Sequence, residues 1–181
     1  MKKIIALGGS NSKHSINKTL AAYAANKVEN VEVNIIDLNH FELPLYGIDF
    51  ETENGIPENA IKLNNLIAST DGLVISLAEH NGSYTASFKN TLDWLSRIDI
   101  KVWKDKPILL LATSPGARGG TIVLQSAKTY FPYLGGNVIA DFSLANFYDS
   151  FLENEISNAE LKKELNHKIQ LFKLELGDKQ S

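Results

Sequence analysis

The most informative absence in this sequence is cysteine, which does not occur in its 181 residues. Without thiols there is no disulfide, no thiolate nucleophile, no cysteine-bound zinc and no iron–sulfur cluster. No apolar run approaches the length of a membrane span, and too few apolar residues precede Gly8 for a signal peptide. We therefore expect a cytoplasmic protein with no membrane partner.

The sequence also lacks an excess of charge of either sign. Its 18 basic and 21 acidic residues give a formal net charge of -3, which provides no electrostatic reason to expect nucleic acid as a partner. The histidines His14, His40 and His167 have no partners at metal-ligand spacing, so we interpret them as surface residues and expect no metal site. At this length, residues 1–181 are expected to form a single domain.

What the sequence does contain is five short apolar segments that alternate with helical patterns. The segments that predict strands are residues 3–7, 31–37, 72–78, 107–113 and 137–140. Such alternation predicts an α/β three-layer sandwich, in which a five-stranded parallel sheet in the order 2-1-3-4-5 carries helices on both faces. Residues 38–54 and 142–152 are expected to be irregular. Ser157 and Glu160 predict a capping box at the start of the last helix.

Polar loops follow the first, third and fourth predicted strands. They comprise residues 8–15, 79–85 and 114–120. Ligands of parallel sheets bind at the carboxyl ends of the strands, near the point where the strand order reverses. Because all three loops would lie at that edge, their convergence predicts a binding site more strongly than any one loop does.

The first loop has the composition of a phosphate cradle. Ser10, Ser12 and Ser15 bring hydroxyl groups to the start of a helix, where free amides and the helix dipole favour an anion. The loop lacks both the GxxxxGK[ST] pattern and the GxGxxG spacing, so it suits one terminal monophosphate, such as that of FMN. The alternative is an ordinary strand-to-helix turn with Ser15 as its N-cap.

The other two loops could hold the ring of a flavin. Asn81, Gly82 and Ser83 are placed to hydrogen-bond its polar edge, and residues 114–120 can pass close beside it because glycine has no Cβ. Hydride transfer to a flavin asks little acid–base chemistry of the protein, so no catalytic side chain is expected.

Several residues in or near these loops could have a purely structural role. Glu79 is either a solvated carboxylate or a ligand contact, and His80 is either a surface histidine or a ligand contact. Lys89 and Asp93 are interpreted as an i,i+4 helix pair. Trp94 is expected to pack either in the core or at a subunit contact.

These loops resemble those of the NAD(P)H-dependent FMN reductase family of flavodoxin-like proteins, which includes azobenzene, quinone and chromate reductases. Residues 9–17, 79–83, 89–97 and 114–120 carry the resemblance, which covers roughly residues 3–140. It implies a flavodoxin-like fold and FMN as cofactor, with NADPH or NADH as co-substrate.

By this resemblance, the site residues fall into two groups. The FMN phosphate would bind Ser10, Ser12, Ser15, Ile16 and Asn17. The ring would lie against Glu79, His80, Asn81, Gly82 and Ser83 of the second loop and against Ser114, Gly116, Gly119 and Gly120 of the third.

The resemblance also predicts the reaction and the assembly. We expect ping-pong hydride transfer from NAD(P)H through FMN to a quinone, azo dye or similar small acceptor. Family members form dimers or tetramers, so we expect a homodimer or homotetramer whose contact uses the helix carrying Asp93 and Trp94. A flavodoxin-type single-electron carrier without NAD(P)H activity and a flavin-free module on the same fold remain the alternatives.

Two positions depart from the family pattern. The family usually has an arginine where Ser12 stands, which weakens or replaces one phosphate contact. It usually has a tyrosine where His80 stands, so an imidazole with less stacking area takes the place of an aromatic ring.

Overall fold

The computed structural model describes residues 1–178, which fold into alternating strands and helices. The strands are β1 (Lys2–Gly9), β2 (Val31–Ile36), β3 (Gly72–Leu77), β4 (Glu79–His80), β5 (Ser83–Tyr84), β6 (Lys106–Thr113), β7 (Gly136–Leu144), β8 (Phe151–Leu152) and β9 (Glu155–Ile156). The α-helices are α1 (Ile16–Asn26), α2 (Ile48–Asn54), α3 (Glu58–Ser69), α4 (Ala86–Ile98), α5 (Thr121–Tyr130), α6 (Phe147–Ser150) and α7 (Ala159–Asp178), and 3-10 helices span Leu38–Phe41 and Phe131–Leu134.

Five of these strands form one parallel sheet in the order β2-β1-β3-β6-β7. Numbered within the sheet, this is the order 2-1-3-4-5, so the predicted flavodoxin-like topology is confirmed. The order reverses between β1 and β3, and the loops after these two strands therefore leave the same edge of the sheet in adjacent positions.

The apolar runs of the strands are explained by helices that cover both faces of the sheet. Successive residues of β1 alternate between two clusters: Ile5 and Leu7 pack with α3, α4 and α5, whereas Ile4 and Ala6 pack with α1 and α7. All six residues of β3 are buried because it is an interior strand. Such strands show no polar alternation, which is why continuous apolar runs identified them.

The start of α1 lies directly on the end of β1, at Gly8. A Cβ at this position would lie 2.5 Å from the backbone nitrogen of Lys18. The Lys18 ammonium pairs with the carboxylate of Asp37, just after β2. That hydrogen bond is the largest cause lowering the pKa of Asp37, which falls to about 2. Backbone packing and an ion pair therefore hold the first turn of α1 in place.

Residues 38–54 are more regular than expected. Asp37 caps the 3-10 helix at Leu38–Phe41, where its carboxylate accepts a hydrogen bond from the backbone N–H of Asn39 at 3.0 Å. The helix α2 follows, and all its residues are exposed or half-buried. A helix that buries no complete apolar face has no amphipathic period, so the sequence pattern did not indicate it.

A short antiparallel hairpin, β4–β5, was not predicted. Its turn consists of Asn81 and Gly82, whose φ angles are 52° and 73°. Two positive φ angles define a type I′ turn, for which Asn-Gly is the preferred pair. The Asn-Gly pair therefore indicated this hairpin, although the pattern of apolar residues did not.

Residues 142–152 are also not irregular. β7 continues to Leu144 rather than ending at Ala140, and α6 and β8 follow it. In the carboxyl-terminal half of β7, Ala140, Phe142 and Leu144 are buried and the residues between them are half-buried. This period of two is typical of an edge strand and differs from the apolar runs of the interior strands.

The cap of α7 is displaced by one residue from the prediction. The side-chain oxygen of Asn158 accepts hydrogen bonds from the backbone N–H groups of Glu160 and Leu161, at 2.9 and 3.0 Å. The Ser157 hydroxyl instead donates to the carbonyl of Asp149 at 3.2 Å. The predicted capping box at Ser157 is therefore wrong, because asparagine caps helices as well as serine does.

The packing at Gly8 can be tested by adding one methyl group. We expect Gly8→Ala to lower the free energy of unfolding by about 1–3 kcal/mol, since the added Cβ meets backbone atoms that cannot move aside easily. At Gly177 a Cβ would meet nothing within 4 Å, so Gly177→Ala is a matched control. It should be neutral or stabilising by up to about 1 kcal/mol. Urea denaturation measures both, and equal losses would contradict the packing argument.

Candidate functional site

The loops after β1, β3 and β6 meet at the carboxyl edge of the sheet and enclose a cavity of about 200 Å³. Its lining residues are Ser10, Ser12, His14, Ser15, Ile16, Asn17, Ala78, Glu79, His80, Thr113, Ser114, Pro115 and Tyr148. Eight of the fourteen site residues predicted from the sequence are in this set. The loops converge as expected from the strand order.

Ser15 is the N-cap of α1, as the structural interpretation of this loop predicted. Its Oγ accepts a hydrogen bond from the backbone N–H of Lys18 at 3.1 Å. The hydroxyl hydrogen is still available to a ligand, because a hydroxyl both donates and accepts. The N–H groups of Ile16 and Asn17 lie in the first helical turn, where no helical carbonyl can reach them. The cap is therefore compatible with an anion at this end of the cavity.

The other two serines shape the loop itself. Ser10 Oγ accepts a hydrogen bond from the backbone N–H of Ser12 at 3.1 Å, and Ser12 Oγ accepts one from that of His14 at 3.3 Å. These are successive turns closed by side-chain oxygens. Each hydroxyl keeps its hydrogen, so both remain possible donors to an anion in the cavity.

The side chain of Asn17 anchors the helix rather than facing a ligand. Its oxygen accepts hydrogen bonds from the Thr113 backbone N–H at 3.1 Å and from the Ser76 hydroxyl at 2.7 Å. Its nitrogen donates to the Thr113 carbonyl at 3.1 Å, and the residue is 2% exposed. The amide is thus committed to β3 and β6, and what Asn17 can offer a ligand is its backbone N–H.

Glu79 caps a helix that begins in another loop. Its carboxylate accepts hydrogen bonds from the backbone N–H groups of Ile122 and Val123, at 3.0 and 3.1 Å. The N-cap position of α5 is Gly120, which has no side chain to do this. A carboxylate at a helix N-terminus also interacts favourably with the helix dipole. Glu79 is therefore not a free solvated charge: its carboxylate accepts hydrogen bonds that fasten the second loop to the third.

The outer part of the hairpin does not reach the cavity lining. His80 is exposed and lines the cavity, whereas Asn81, Gly82 and Ser83 form the turn and the start of the returning strand beyond it. The structure therefore brings His80, but not these three predicted residues, beside the serine loop.

Two glycines of the third loop are required by the fold. Gly119 and Gly120 have φ angles of 58° and 75°, which favour glycine. A Cβ on Gly119 would lie 2.5 Å from Ser143 Oγ, and one on Gly120 would lie 3.1 Å from the Cβ of Ala112. A side chain at either position would therefore collide with the sheet or the backbone that follows it. Gly116 has open space where its Cβ would be, and Ser114 lines the cavity.

Tyr148 and His14 line the cavity but were not among the predicted site residues. Tyr148 belongs to α6, which follows the end of β7, and its ring packs edge-on against Phe147 with 5.6 Å between ring centroids. The rule that selected the other loops applies to the end of β7 as well, so a correct end for this strand would have indicated Tyr148. His14 was interpreted as a surface residue, and it is indeed exposed.

The donor set of the cavity fits a phosphate monoester. Ser10, Ser12 and Ser15, together with Ile16 and Asn17 of the first turn of α1, contribute to its lining. Within residues 1–178, no three histidine or carboxylate groups are placed to hold a metal ion, and no helix is long and apolar enough to cross a membrane. A phosphate at this site would therefore be bound by hydrogen bonds and by the helix dipole.

Comparisons with known proteins agree with this geometry. A family model described as NADPH-dependent FMN reductase matches residues 2–149. The chain is 34% identical over 158 residues to a quinone reductase of Escherichia coli strain K12, covering 85% of this chain and 80% of that protein. It is 32% identical over 137 residues to an NADPH azoreductase of Bacillus sp. strain OY1-2, covering 76% and 72%.

A solved structure shares the fold over its whole length. The flavoenzyme NAD(P)H:(acceptor) oxidoreductase FerB from Paracoccus denitrificans superposes with a TM-score of 0.77 and 22% identity, and the match covers 98% of both chains.

The cap formed by Glu79 makes a stability prediction. Glu79→Ala should lower the free energy of unfolding by about 1–2 kcal/mol, because two first-turn amides of α5 lose their acceptor. Glu79→Gln should cost about half as much, since the amide oxygen can still accept but the charge is lost. Glu164→Ala, an exposed glutamate on α7, is the control and should change stability by less than about 0.5 kcal/mol. If urea denaturation finds all three variants alike, Glu79 does not act as a cap.

Proposed function

The chain belongs to the NADPH-dependent FMN reductase family, and we propose that it transfers hydride from NADPH or NADH, through bound FMN, to a quinone, an azo compound or a similar small acceptor. In such enzymes the cofactor supplies the redox chemistry, and the protein supplies position and electrostatics. The observation that carries the proposal is the cavity in which the three loops meet, because its donor set fits the terminal phosphate of FMN.

In this proposal the chain's residues have distinct tasks. The hydroxyls of Ser10, Ser12 and Ser15 and the backbone N–H groups of Ile16 and Asn17 hold the phosphate. The β4–β5 hairpin and residues 114–120 would hold the flavin ring. We infer that residues 1–181 act as a single FMN-binding domain, since both apolar clusters pack on one sheet.

Glu79 serves this site indirectly. It joins the hairpin to the first turn of α5 and so sets the width of the space between the two loops that hold the ring. Asn17 likewise sets the position of the phosphate-binding turn relative to β3 and β6. A binding site built on strand ends gains its precision from such anchoring contacts.

The proposed acceptor class and order of events have separate support. The relatives named above are a quinone reductase and an NADPH azoreductase, whose names give a quinone and an azo compound as acceptors. The order of events follows from the chemistry that FMN would supply when bound. Donor and acceptor would use the space beside the flavin in turn, which is a ping-pong sequence.

Reduction by nicotinamide nucleotides tests this function. We expect the purified protein to bind FMN, to lose its visible absorbance when NADPH or NADH is added without oxygen, and to recover it when benzoquinone follows. Double-reciprocal plots at several fixed benzoquinone concentrations should be parallel. Bound FMN that neither nucleotide reduces would favour the electron carrier instead, and failure to bind FMN would favour a flavin-free module.

We also infer a homodimer, or a tetramer built from dimers, through an apolar surface that we call the Leu45 patch. It consists of Leu45, Ile48 and Phe50, which are 82%, 59% and 38% exposed. Large apolar side chains that are neighbours in the chain and exposed to this degree are typical of interaction surfaces. Trp94 supports the patch from below: it is buried, its indole donates to the Pro44 carbonyl at 2.7 Å, and its ring packs edge-on with Phe50.

Charge introduced into the Leu45 patch should separate the subunits. We expect the double variant Leu45→Lys, Ile48→Lys to weaken the dimer by about 100-fold or more, because two apolar contacts become two like charges per subunit. Leu174→Lys, at a residue on α7 that is 63% exposed, is the matched control and should leave the dimer intact. Sedimentation velocity measures all three proteins. A wild type that sediments as a monomer would exclude this interface. A double variant that sediments as a dimer, as the wild type is expected to do, would exclude it as well.

A further inference from the structure

We propose that His14 is a titratable cation at the phosphate end of the cavity, so that the protein prefers a phosphorylated ligand over its dephosphorylated form in a pH-dependent way. This inference rests on the proposed binding of FMN and assigns a selective role to a residue of the same site.

The charges that line the cavity lead to this proposal. Among the described residues, neither a lysine nor an arginine lines it, and its ionisable side chains are His14, Glu79, His80 and Tyr148. Oε2 of the Glu79 carboxylate accepts hydrogen bonds from the two amides of α5. The lining side chains that can carry a positive charge are the imidazoles of His14 and His80.

Of the two histidines, His14 belongs to the serine loop. Its backbone N–H donates to Ser12 Oγ at 3.3 Å, and it directly precedes Ser15, the N-cap of α1. In the chain it lies between Ser12 and Ser15, and all three residues line the cavity. His80 lies on the hairpin, with the ring-binding segment of the site.

The other charged groups near this loop are differently engaged. The ammonium of Lys18, on the first turn of α1, pairs with Asp37 on the side of β2. Lys13 is exposed and is not part of the cavity lining. From the opposing elements, Glu79 and His80 of β4 and Tyr148 of α6 face the same cavity. His14 is therefore the group whose charge can change at the phosphate end.

A helix N-terminus couples this charge to the ligand. Positive charge beside the first turn of a helix is unfavourable, since the dipole is positive there, and a bound anion reverses that effect. Protonation of the imidazole and binding of the phosphate should thus favour each other. A phosphate monoester is a dianion above about pH 6, and histidine ordinarily loses its charge between about pH 5 and 8. Affinity for the phosphate should therefore fall as the pH rises above neutrality.

The comparison of FMN with riboflavin isolates this effect, because the two share the ring and ribityl chain and differ in the phosphate. The flavin-free full-length protein is titrated with each ligand from pH 6.5 to 9, and the quenching of flavin fluorescence gives both dissociation constants. In wild type, we expect the ratio of the riboflavin constant to the FMN constant to fall about fivefold across this range, as the loss of a partly exposed ion pair would produce.

Substitutions at His14 should remove the pH dependence in opposite ways. His14→Lys should keep the wild-type ratio at pH 6.5 and hold it to pH 9, because lysine stays charged. His14→Gln should show the lower ratio at every pH. Since His14 is exposed, both variants are expected to fold, which circular dichroism would check. A ratio in His14→Lys that falls as in wild type would overturn the proposal.

The controls separate His14 from its neighbours. Lys13→Gln and His80→Gln should both retain the wild-type decrease of the ratio. If Lys13→Gln lowers the ratio at all pH values and His14→Gln does not, Lys13 supplies the charge and the proposal is wrong. A pH-independent wild-type ratio also overturns it, although FMN binding itself would then stand. Absence of FMN binding at every pH would overturn the proposed function as well.

Discussion

The buried side chain of Asn17 is the interaction on which the rest of the site depends. One amide group joins the first turn of α1 to Ser76 on β3 and to both backbone groups of Thr113 at the end of β6. Because all of its partners lie at strand ends, it fixes where the first turn of α1 lies relative to the other two loops. Its oxygen and nitrogen are hydrogen-bonded within the protein, as a group that is 2% exposed requires.

Asp37 and Glu79, two acidic side chains near the candidate site, make contacts that hold its loops in position. Asp37 is paired with Lys18, and Glu79 is held at the start of α5. Both carboxylates stabilise the positions of loops through charge-assisted hydrogen bonds. The rest of the lining includes serine hydroxyls, residues of the first turn of α1 and two histidines. Under the proposed function, these are the groups that would meet a bound anion.

The segment between β2 and α3 shows how a stretch with little apolar pattern is still held firmly. The Asn90 side chain accepts a hydrogen bond from the Tyr46 backbone N–H at 2.8 Å and donates to the Pro44 carbonyl at 3.0 Å. Trp94 donates to the same carbonyl and packs against the ring of Tyr46, with 5.0 Å between centroids. The helix α4 therefore presents this segment, with its exposed apolar residues, as a fixed surface beside the site.

The sequence by itself determined the parallel sheet, its strand order and the edge at which the site lies, because apolar runs and the alternation of strands with helices are local properties. It also indicated the i,i+4 pair of Lys89 and Asp93, which form an ion pair at 2.6 Å. Only the tertiary structure decided what the side chains of Asn17 and Glu79 contact. Asn17 and Thr113 are 96 positions apart, and Glu79 and Ile122 are 43 apart. A polar side chain at a strand end suits a ligand or a distant backbone amide equally well, and the folded chain determines which of the two lies within hydrogen-bonding distance.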